Sequence, residues 1–171
     1  MYSTFHNKNQ DRRFSMRRKK KEIQNREVID KLLIACPVGR LGTIGEDGYP
    51  RIKPLNFVYL KDAIYFHSAK EGEKIDDIKR DNRVVFEIDE PIGYVKGDIN
   101  PCSAKYLYQS VIVKGRAVIV TDVGERLLAL KSLMEKYQPE GGYGAFLPEK
   151  LALTALVRID AEERTGKEDI G

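Results

Sequence analysis

The sequence predicts a mainly β fold with flanking helices, built as a closed or split barrel. Segments rich in Val, Ile, Phe and Tyr follow one another with short turns and without helical crossovers. The longest of these segments, residues 106–121, contains Gly115, a typical position for a bulge. Short connections and a bulged long strand favour a barrel over a sandwich, because closure removes exposed strand edges.

The first element expected is a helix over residues 20–35. It has one broad apolar face, and Pro37 marks its end because the residue before a proline avoids helical backbone. The apolar face consists of Ile23, Val28, Ile29, Leu32 and Leu33. Residues 1–15 are polar and aperiodic, so they are expected to form a disordered basic extension. A single domain is therefore expected over residues 16–171.

A meander of hairpins is expected next, with strands over residues 38–44, 51–60 and 63–68. Pro54 argues against a fully paired central position for the second of these strands. In residues 71–80, Ile75 and Ile78 are three apart among charged residues, which indicates a short exposed helix.

The second half begins with a strand over residues 83–89, and a Pro/Gly-rich loop is expected over 91–104. The long strand 106–121 follows. A helix then starts after Asp122, where the spacing to Glu125 resembles a capping box. A last strand is expected over residues 153–159. The total is about six mostly antiparallel strands and three helices.

Composition excludes several classes of protein. The 171 residues suffice for one domain with a real core. No apolar run approaches the ~20 residues of a membrane-spanning helix, and no secretory signal is evident, so a cytoplasmic protein without a membrane partner is expected. Cys36 and Cys102 have no metal-ligand spacing, so no metal is expected. Both are interpreted as reduced structural thiols, or, for Cys102 in its loop, as lying near a site.

The positive charge is concentrated at the start of the chain. The net charge is +4, but residues 1–21 contain eight Lys and Arg against one acid, which leaves −3 on the rest. A mildly acidic body with a basic arm argues against nucleic-acid binding by the folded domain.

The segment Ile64-Tyr65-Phe66-His67-Ser68-Ala69-Lys70-Glu71-Gly72-Glu73-Lys74 carries the most chemistry. A strand ends in His67, Ser68 and Ala69, and a helix start carrying Lys74 follows. Free amides at a helix N-terminus, a lysine and side-chain donors suit a phosphate group. The alternative is a strand-to-helix turn with a solvated lysine. No hydrolase triad, HExxH motif, P-loop or GxGxxG fingerprint is legible elsewhere.

An ordered set of segments between residues 16 and 168 resembles one family. Together they resemble flavin-binding proteins of the pyridoxamine-phosphate-oxidase-like, nitroimidazole-resistance type. Residues 1–15 depart from that pattern, which usually begins near Met16. The segments are Met16-Arg17-Arg18-Lys19, Val38–Thr43, Gly48-Tyr49-Pro50, Pro54–Tyr59, Ile64–Ala69, Gly72–Asp76, Tyr106, Ser110–Gly115, Leu133–Tyr137 and Thr165–Glu168.

The resemblance implies an FMN-binding split β-barrel that forms a homodimer with two flavins at the interface. The cofactor-binding residues implied around the FMN phosphate are His67, Ser68, Ala69 and Lys74. The isoalloxazine ring would lie along Pro54, Leu55 and Asn56, with Thr43 approaching from the next strand. Tyr106 and Ser110 would come from the partner subunit or line the ring pocket.

Structural alternatives stand beside these roles. Pro54 can simply end pairing at a sheet edge, and Tyr106 can be core or interface packing. Asn56 in a buried strand would need a partner for its amide, which favours a ligand or backbone contact.

The implied activity is that of an FMN-dependent oxidoreductase. Electrons from a nicotinamide would pass to a small electron-poor acceptor such as a nitroaromatic or a quinone. His67 is the candidate catalytic proton donor, or only a phosphate ligand. The alternatives are a non-catalytic flavin- or haem-binding redox or stress protein, and a nucleic-acid-associated protein acting through its arm. Biosynthetic pyridoxamine-phosphate oxidase activity is disfavoured, because the extended C-terminal substrate-binding sequence is not seen.

Overall fold

A computed structural model describes residues 19–171, which form an eight-stranded antiparallel sheet with four flanking α-helices. The expected mainly β fold with flanking helices is confirmed. The expected extension over residues 1–15 lies outside the described residues. The strands are β1 (Glu22–Ile23), β2 (Gly39–Ile44), β3 (Pro50–Leu55), β4 (Val58–Leu60), β5 (Ala63–Ala69), β6 (Arg83–Val95), β7 (Lys105–Ile119) and β8 (Thr154–Asp169). The helices are α1 (Arg26–Ala35), α2 (Glu73–Arg80), α3 (Val123–Tyr137) and α4 (Pro148–Leu153).

The sheet closes on itself as a split barrel. Its strand order is β3-β2-β6-β7-β8-β5-β4, with β1 added to β8. The two terminal strands, β3 and β4, are consecutive in the chain and separated only by Asn56 and Phe57. The interior is apolar, and the rings of Phe57 and Phe86 pack edge to face with centroids 4.8 Å apart. The barrel is thus split at residues 56–57.

The free edge of β3 carries Pro50 and Pro54, four residues apart. Neither has a backbone N–H, so the ladder between β3 and β2 must use the amides of the alternate residues. The expectation that Pro54 does not lie in a fully paired central strand is met, although pairing continues past it to Leu55.

Gly115 lies at a bulge, as the sequence predicts. The β7–β8 register shifts between Lys114 and Gly115. A Cβ at Gly115 would lie 2.2 Å from the carbonyl oxygen of Asp160, so no side chain fits there.

The start of α1 differs from the expectation. The helix begins at Arg26, because the Asn25 side chain caps it by accepting a hydrogen bond from the Glu27 amide at 2.9 Å. Lys19–Lys21 form a single 3₁₀ turn, and Glu22–Ile23 pair with β8. Ile23 therefore contributes to the core from a strand and not from the helix.

Four further expectations are wrong. The strand expected over residues 153–159 is longer, because β8 pairs with β7 as far as Asp169. Residues 51–60 form two strands, because the chain turns between sheet ends at Asn56 and Phe57. The expected loop 91–104 is shorter, since β6 runs to Val95. Pro91 and Gly93 lie within this strand, on either side of a shift in its register with β7. Helix α4 was not expected, because its six residues begin at Pro148, the last residue of the Gly/Pro-rich stretch 138–148, and form a short segment without clear periodicity.

Helix α3 packs on the outside of β4 and β5 and fixes the split. Its apolar side chains meet Val58, Tyr65 and Leu156. At its last residue, the Tyr137 hydroxyl accepts a hydrogen bond from the Phe57 amide at 2.8 Å and lies 2.7 Å from the Pro37 carbonyl oxygen. Among the described residues, no helix is long and apolar enough to cross a membrane.

Candidate functional site

Polar residues of β3, β5 and α2 meet where the barrel splits. Val58 of β4 lies opposite Tyr65 of β5, and Asn56 precedes β4 at the end of the sheet towards which β5 continues to His67. Lys53 of β3 forms an ion pair with Glu73 at the start of α2. We name the group formed by Lys53, His67, Ser68, Lys74 and the N-terminal end of α2 the cationic cluster.

The N-terminal end of α2 is open. Its cap residue is Gly72, whose φ of 111° favours glycine, and no side chain caps the helix. The backbone hydrogen bonds of the first turn begin at the Ile75 amide, 2.9 Å from the Gly72 carbonyl oxygen. The preceding amides therefore point out of the helix end, with the positive end of its dipole.

Burial shapes the charges of the cationic cluster. Lys74 is half-buried with its Nζ 5.7 Å from the centroid of the Phe66 ring. Burial lowers the pKa of Lys74, and the charge of Lys53 lowers it further. Although the His67 residue is exposed at the surface, partial desolvation of its ring lowers its pKa below 6.5, with a smaller contribution from Lys74, which favours the neutral imidazole at pH 7. The cluster thus combines two ammonium groups with a neutral ring N–H donor.

A buried carboxylate fixes α2 against β2 and β3. The Asp77 side chain is 1 % exposed and accepts hydrogen bonds from Thr43 Oγ1 at 2.9 Å and from Arg80 at 3.0 Å. Arg51 Nη1 lies 3.3 Å from the same carboxylate. Burial alone would raise the pKa of Asp77, but these hydrogen bonds and the Arg51 charge outweigh it and lower the pKa.

Thr43, which the resemblance places near the flavin ring, is part of this network. Its hydroxyl is buried and bonded to Asp77, so it supports α2 from below the cationic cluster. Sequence reasoning missed Asp77 as well as Lys53 and Glu73. Helical spacing puts Asp76 and Asp77 at equal angles from the stripe of Ile75 and Ile78, so the sequence carries no signal that singles out Asp77.

The strip Pro54–Asn56 borders the cationic cluster. Pro54 and Asn56 are exposed, and Leu55 is half-buried against the core. The Asn56 amide is therefore solvated, and the argument that a buried amide there needs a partner does not apply.

The sheet places Tyr106 and Ser110 far from His67 of the same chain. Ser110 pairs with Lys167 on β8, whereas His67 pairs with Leu156. These positions are roughly 35 Å apart along the strand at ~3.3 Å per residue. Ser110 Oγ lies 3.4 Å from the Lys167 carbonyl oxygen, and Tyr106 is 58 % exposed beside Tyr94. Tyr106 is thus not a core residue of its own chain.

A family model described as pyridoxamine 5'-phosphate oxidase matches residues 25–168. The chain belongs to this family. The match covers all four α-helices and, apart from β1 and the last residue of β8, all strands, so the expected family membership is confirmed.

Solved structures share the fold of this pyridoxamine 5'-phosphate oxidase family member. A candidate 5-nitroimidazole antibiotic resistance protein from Bacteroides thetaiotaomicron has 23 % identity and a TM-score of 0.74, with 86 % of each chain covered. An FAD-binding protein from Mesorhizobium loti has 27 % identity and a TM-score of 0.61, covering 85 % of this chain and 95 % of its own.

A third similar structure is a flavocytochrome from Azotobacter vinelandii. It has 17 % identity and a TM-score of 0.79, covering 92 % of this chain and 73 % of its own. A comparison with curated proteins finds no match.

The family member also carries an apolar outer face on β2, β3 and β6. Ile44, Ile52 and Val85 are exposed there and line a groove of about 720 Å³.

The two cysteines of the chain lie in different settings. Cys36 is buried, and burial together with Glu90 raises its pKa to about 11, whereas Cys102 is exposed within the 3₁₀ turn Pro101–Ser103.

Proposed function

We propose that this protein binds FMN, with the phosphate at the cationic cluster. The observation that carries the proposal is the donor set at the open end of α2. A phosphate dianion suits outward-pointing amides and the Lys53 and Lys74 ammonium groups. Ser68 and the neutral His67 ring add hydrogen-bond donors, and the Ala69 backbone borders the same turn.

The isoalloxazine ring is proposed to lie along Pro54, Leu55 and Asn56. This strip is exposed, borders the cationic cluster and has a rigid proline backbone. Tyr106 and Ser110 are proposed to reach the ring from a second copy, since they lie at the far end of their own sheet.

The proposed reaction is the transfer of electrons from a nicotinamide to a small electron-poor acceptor, such as a nitroaromatic or a quinone. Bound FMN would supply the redox chemistry, and the chain would supply binding and orientation. The lowered pKa of His67 favours a role as a hydrogen-bond donor to the phosphate over a role as a catalytic proton donor at neutral pH. The nitroimidazole-resistance-like motifs support this acceptor class.

A homodimer is proposed to complete the site. The exposed apolar face of Ile44, Ile52 and Val85 adjoins the β3 strip that would hold the ring. Isologous pairing through this face would give two equivalent sites, each with a second wall. The folded domain is proposed to span residues 16–171 and to act in the cytoplasm.

Absorption spectra and ligand titrations test this function. The purified protein should carry flavin bands and bind FMN more tightly than riboflavin, because riboflavin lacks the phosphate. Anaerobic addition of a nicotinamide should bleach those bands, and a nitroaromatic or quinone should restore them. A Soret band, or FMN and riboflavin of equal affinity, would contradict the proposal and favour a haem-binding or non-phosphate role.

A further inference from the structure

The cations of β3 already have an anionic partner inside the chain. The Glu73 carboxylate lies at the first residue of α2 and binds two cations of the neighbouring strand. One oxygen pairs with Lys53, and the other lies 2.9 Å from Arg51 Nη1. Both oxygens are thus engaged, while the Glu73 side chain remains 47 % exposed.

Of these two cations, only Arg51 has another acidic partner in the described part of the chain. Arg51 also contacts Asp77 at 3.3 Å and Asp47 at 3.7 Å. The one ion pair of Lys53 within residues 19–171 is the pair with Glu73. Neutralising Glu73 would therefore release Lys53 and leave Arg51 held.

The ion pair with Glu73 holds Lys53 at the first turn of α2, where Lys74 is the next residue, and the charge of Lys53 lowers the pKa of Lys74. Both ammonium groups therefore face the same region at the end of α2. An anion bound there would attract Lys53, and Glu73 would compete for it. The glutamate would also repel the anion, because both would lie in the first turn of one helix.

We propose that Glu73 is a built-in competitor of the cofactor phosphate, which holds Lys53 while the site is empty and weakens FMN binding. This inference rests on the proposed function. It assigns to Glu73 a specificity-determining role, because the penalty applies to phosphorylated flavins and spares riboflavin.

The test is the affinity of Glu73→Gln for FMN and riboflavin, measured by flavin fluorescence in the full-length protein. Glutamine keeps the shape and removes the charge, so FMN should bind about two- to fivefold more tightly, the scale of an exposed ion pair. Riboflavin affinity should not change. The gain should shrink at high salt, where the Lys53–Glu73 pair is already screened.

Glu71→Gln is the matched control. Glu71 is exposed, lies two residues earlier and has no ion pair among the described residues, so this variant changes the net charge equally. We expect it to alter FMN binding less than twofold. An equal gain in both variants would show an effect of net charge alone and would overturn the role of Glu73.

A second variant tests the route through Lys53. In a Lys53→Met background, Glu73→Gln should bring a smaller gain, since the cation to be released is missing. A full gain there would mean that Glu73 acts without Lys53. An FMN affinity that falls in Glu73→Gln would show that Glu73 organises the site, which also overturns the inference.

Failure of the two proposals can be distinguished. If wild-type protein prefers FMN to riboflavin and Glu73→Gln is neutral, the phosphate site stands and the competitor role falls. If wild-type protein has no preference, both fall together. Melting of the ligand-free variants checks that α2 persists.

Discussion

Lys74 is the residue whose replacement most directly tests the phosphate site. Lys74→Ala should weaken FMN binding by about 1.5–3 kcal/mol, the scale of a charge-assisted hydrogen bond, which is ten- to over a hundredfold in Kd. Riboflavin affinity should hardly change. Fluorescence titration with both flavins measures the two effects.

Lys79→Ala is the control, because Lys79 is exposed on the last turn of the same helix. We expect it to leave the affinities for both flavins unchanged. A Lys74→Ala protein that loses FMN and riboflavin equally would indicate general damage and exclude the phosphate role.

His67 should couple FMN binding to proton uptake. Partial desolvation of its ring and the charge of Lys74 keep its pKa below 6.5 in the free protein, and a phosphate dianion nearby would raise it. Between these two pKa values the bound state holds more protons, so FMN affinity should rise as the pH falls from 8 towards 6.5. Below roughly pH 6 the phosphate itself gains a proton and the trend should weaken.

Titrations at several pH values check this coupling. Riboflavin should show no such slope, and His67→Gln should remove it for FMN. A slope that persists in His67→Gln would assign the proton to another group.

The residues of the site differed in how far the sequence could predict them. His67, Ser68 and Lys74 lie within eight positions of one another, so a strand-to-helix reading brings them together. Lys53 and Glu73 are twenty positions apart, and only the pairing of β3 beside α2 makes them neighbours. Asp77 could not be told from the exposed Asp76 by residue type alone.

At the level of elements, Asp77 anchors α2 to two strands. Asp77→Asn should lower the free energy of unfolding by about 1–3 kcal/mol, because Thr43, Arg51 and Arg80 lose a charged acceptor. Urea unfolding at pH 7 measures this loss. Asp76→Asn, an exposed change on the same helix, should cost less than about 0.5 kcal/mol.

The same network predicts an acid dependence of stability. The folded-state pKa of Asp77 lies below its ordinary value of 3.8, so its contribution is present above that pH and lost as the pH falls through the lower folded-state value. Below about pH 4, wild-type and Asp77→Asn stabilities should converge. A constant difference down to pH 2 would exclude ionised Asp77 as the stabilising group.

Strand positions were easier to predict than their ends. Alternation and β-branched residues located β2, β5, β6 and β7, and Gly115 revealed the bulge. The division of residues 51–60 was hidden, because Asn56 and Phe57 continue the local pattern while the chain moves from one sheet end to the other. The break between β3 and β4 is set by closure of the sheet in three dimensions, and the local sequence carries no information about that closure.

For the whole molecule, the apolar face of β2, β3 and β6 should mediate the proposed homodimer. Ile52 is 68 % exposed on this face, so Ile52→Glu should place a charge in the interface and shift the protein towards monomers. Sedimentation over a concentration series measures the shift. FMN affinity should fall in parallel, since each site would lose its second wall.

Ile34→Glu is the comparison, because Ile34 is 59 % exposed on α1, away from that face. It should leave the association state unchanged. Dimers that persist in Ile52→Glu would place the interface elsewhere on the surface.

The two prolines of β3 have a consequence for the behaviour of concentrated protein. With Pro50 and Pro54 on the free edge, Ile52 is left as the one donor facing outward from the middle of that strand. At the other end of the sheet, β4 has only three residues. A foreign strand therefore finds no continuous row of partners at either border, which protects this β-rich chain from aggregation by edge pairing. Growth of a fibril by strand addition at these two borders is therefore disfavoured.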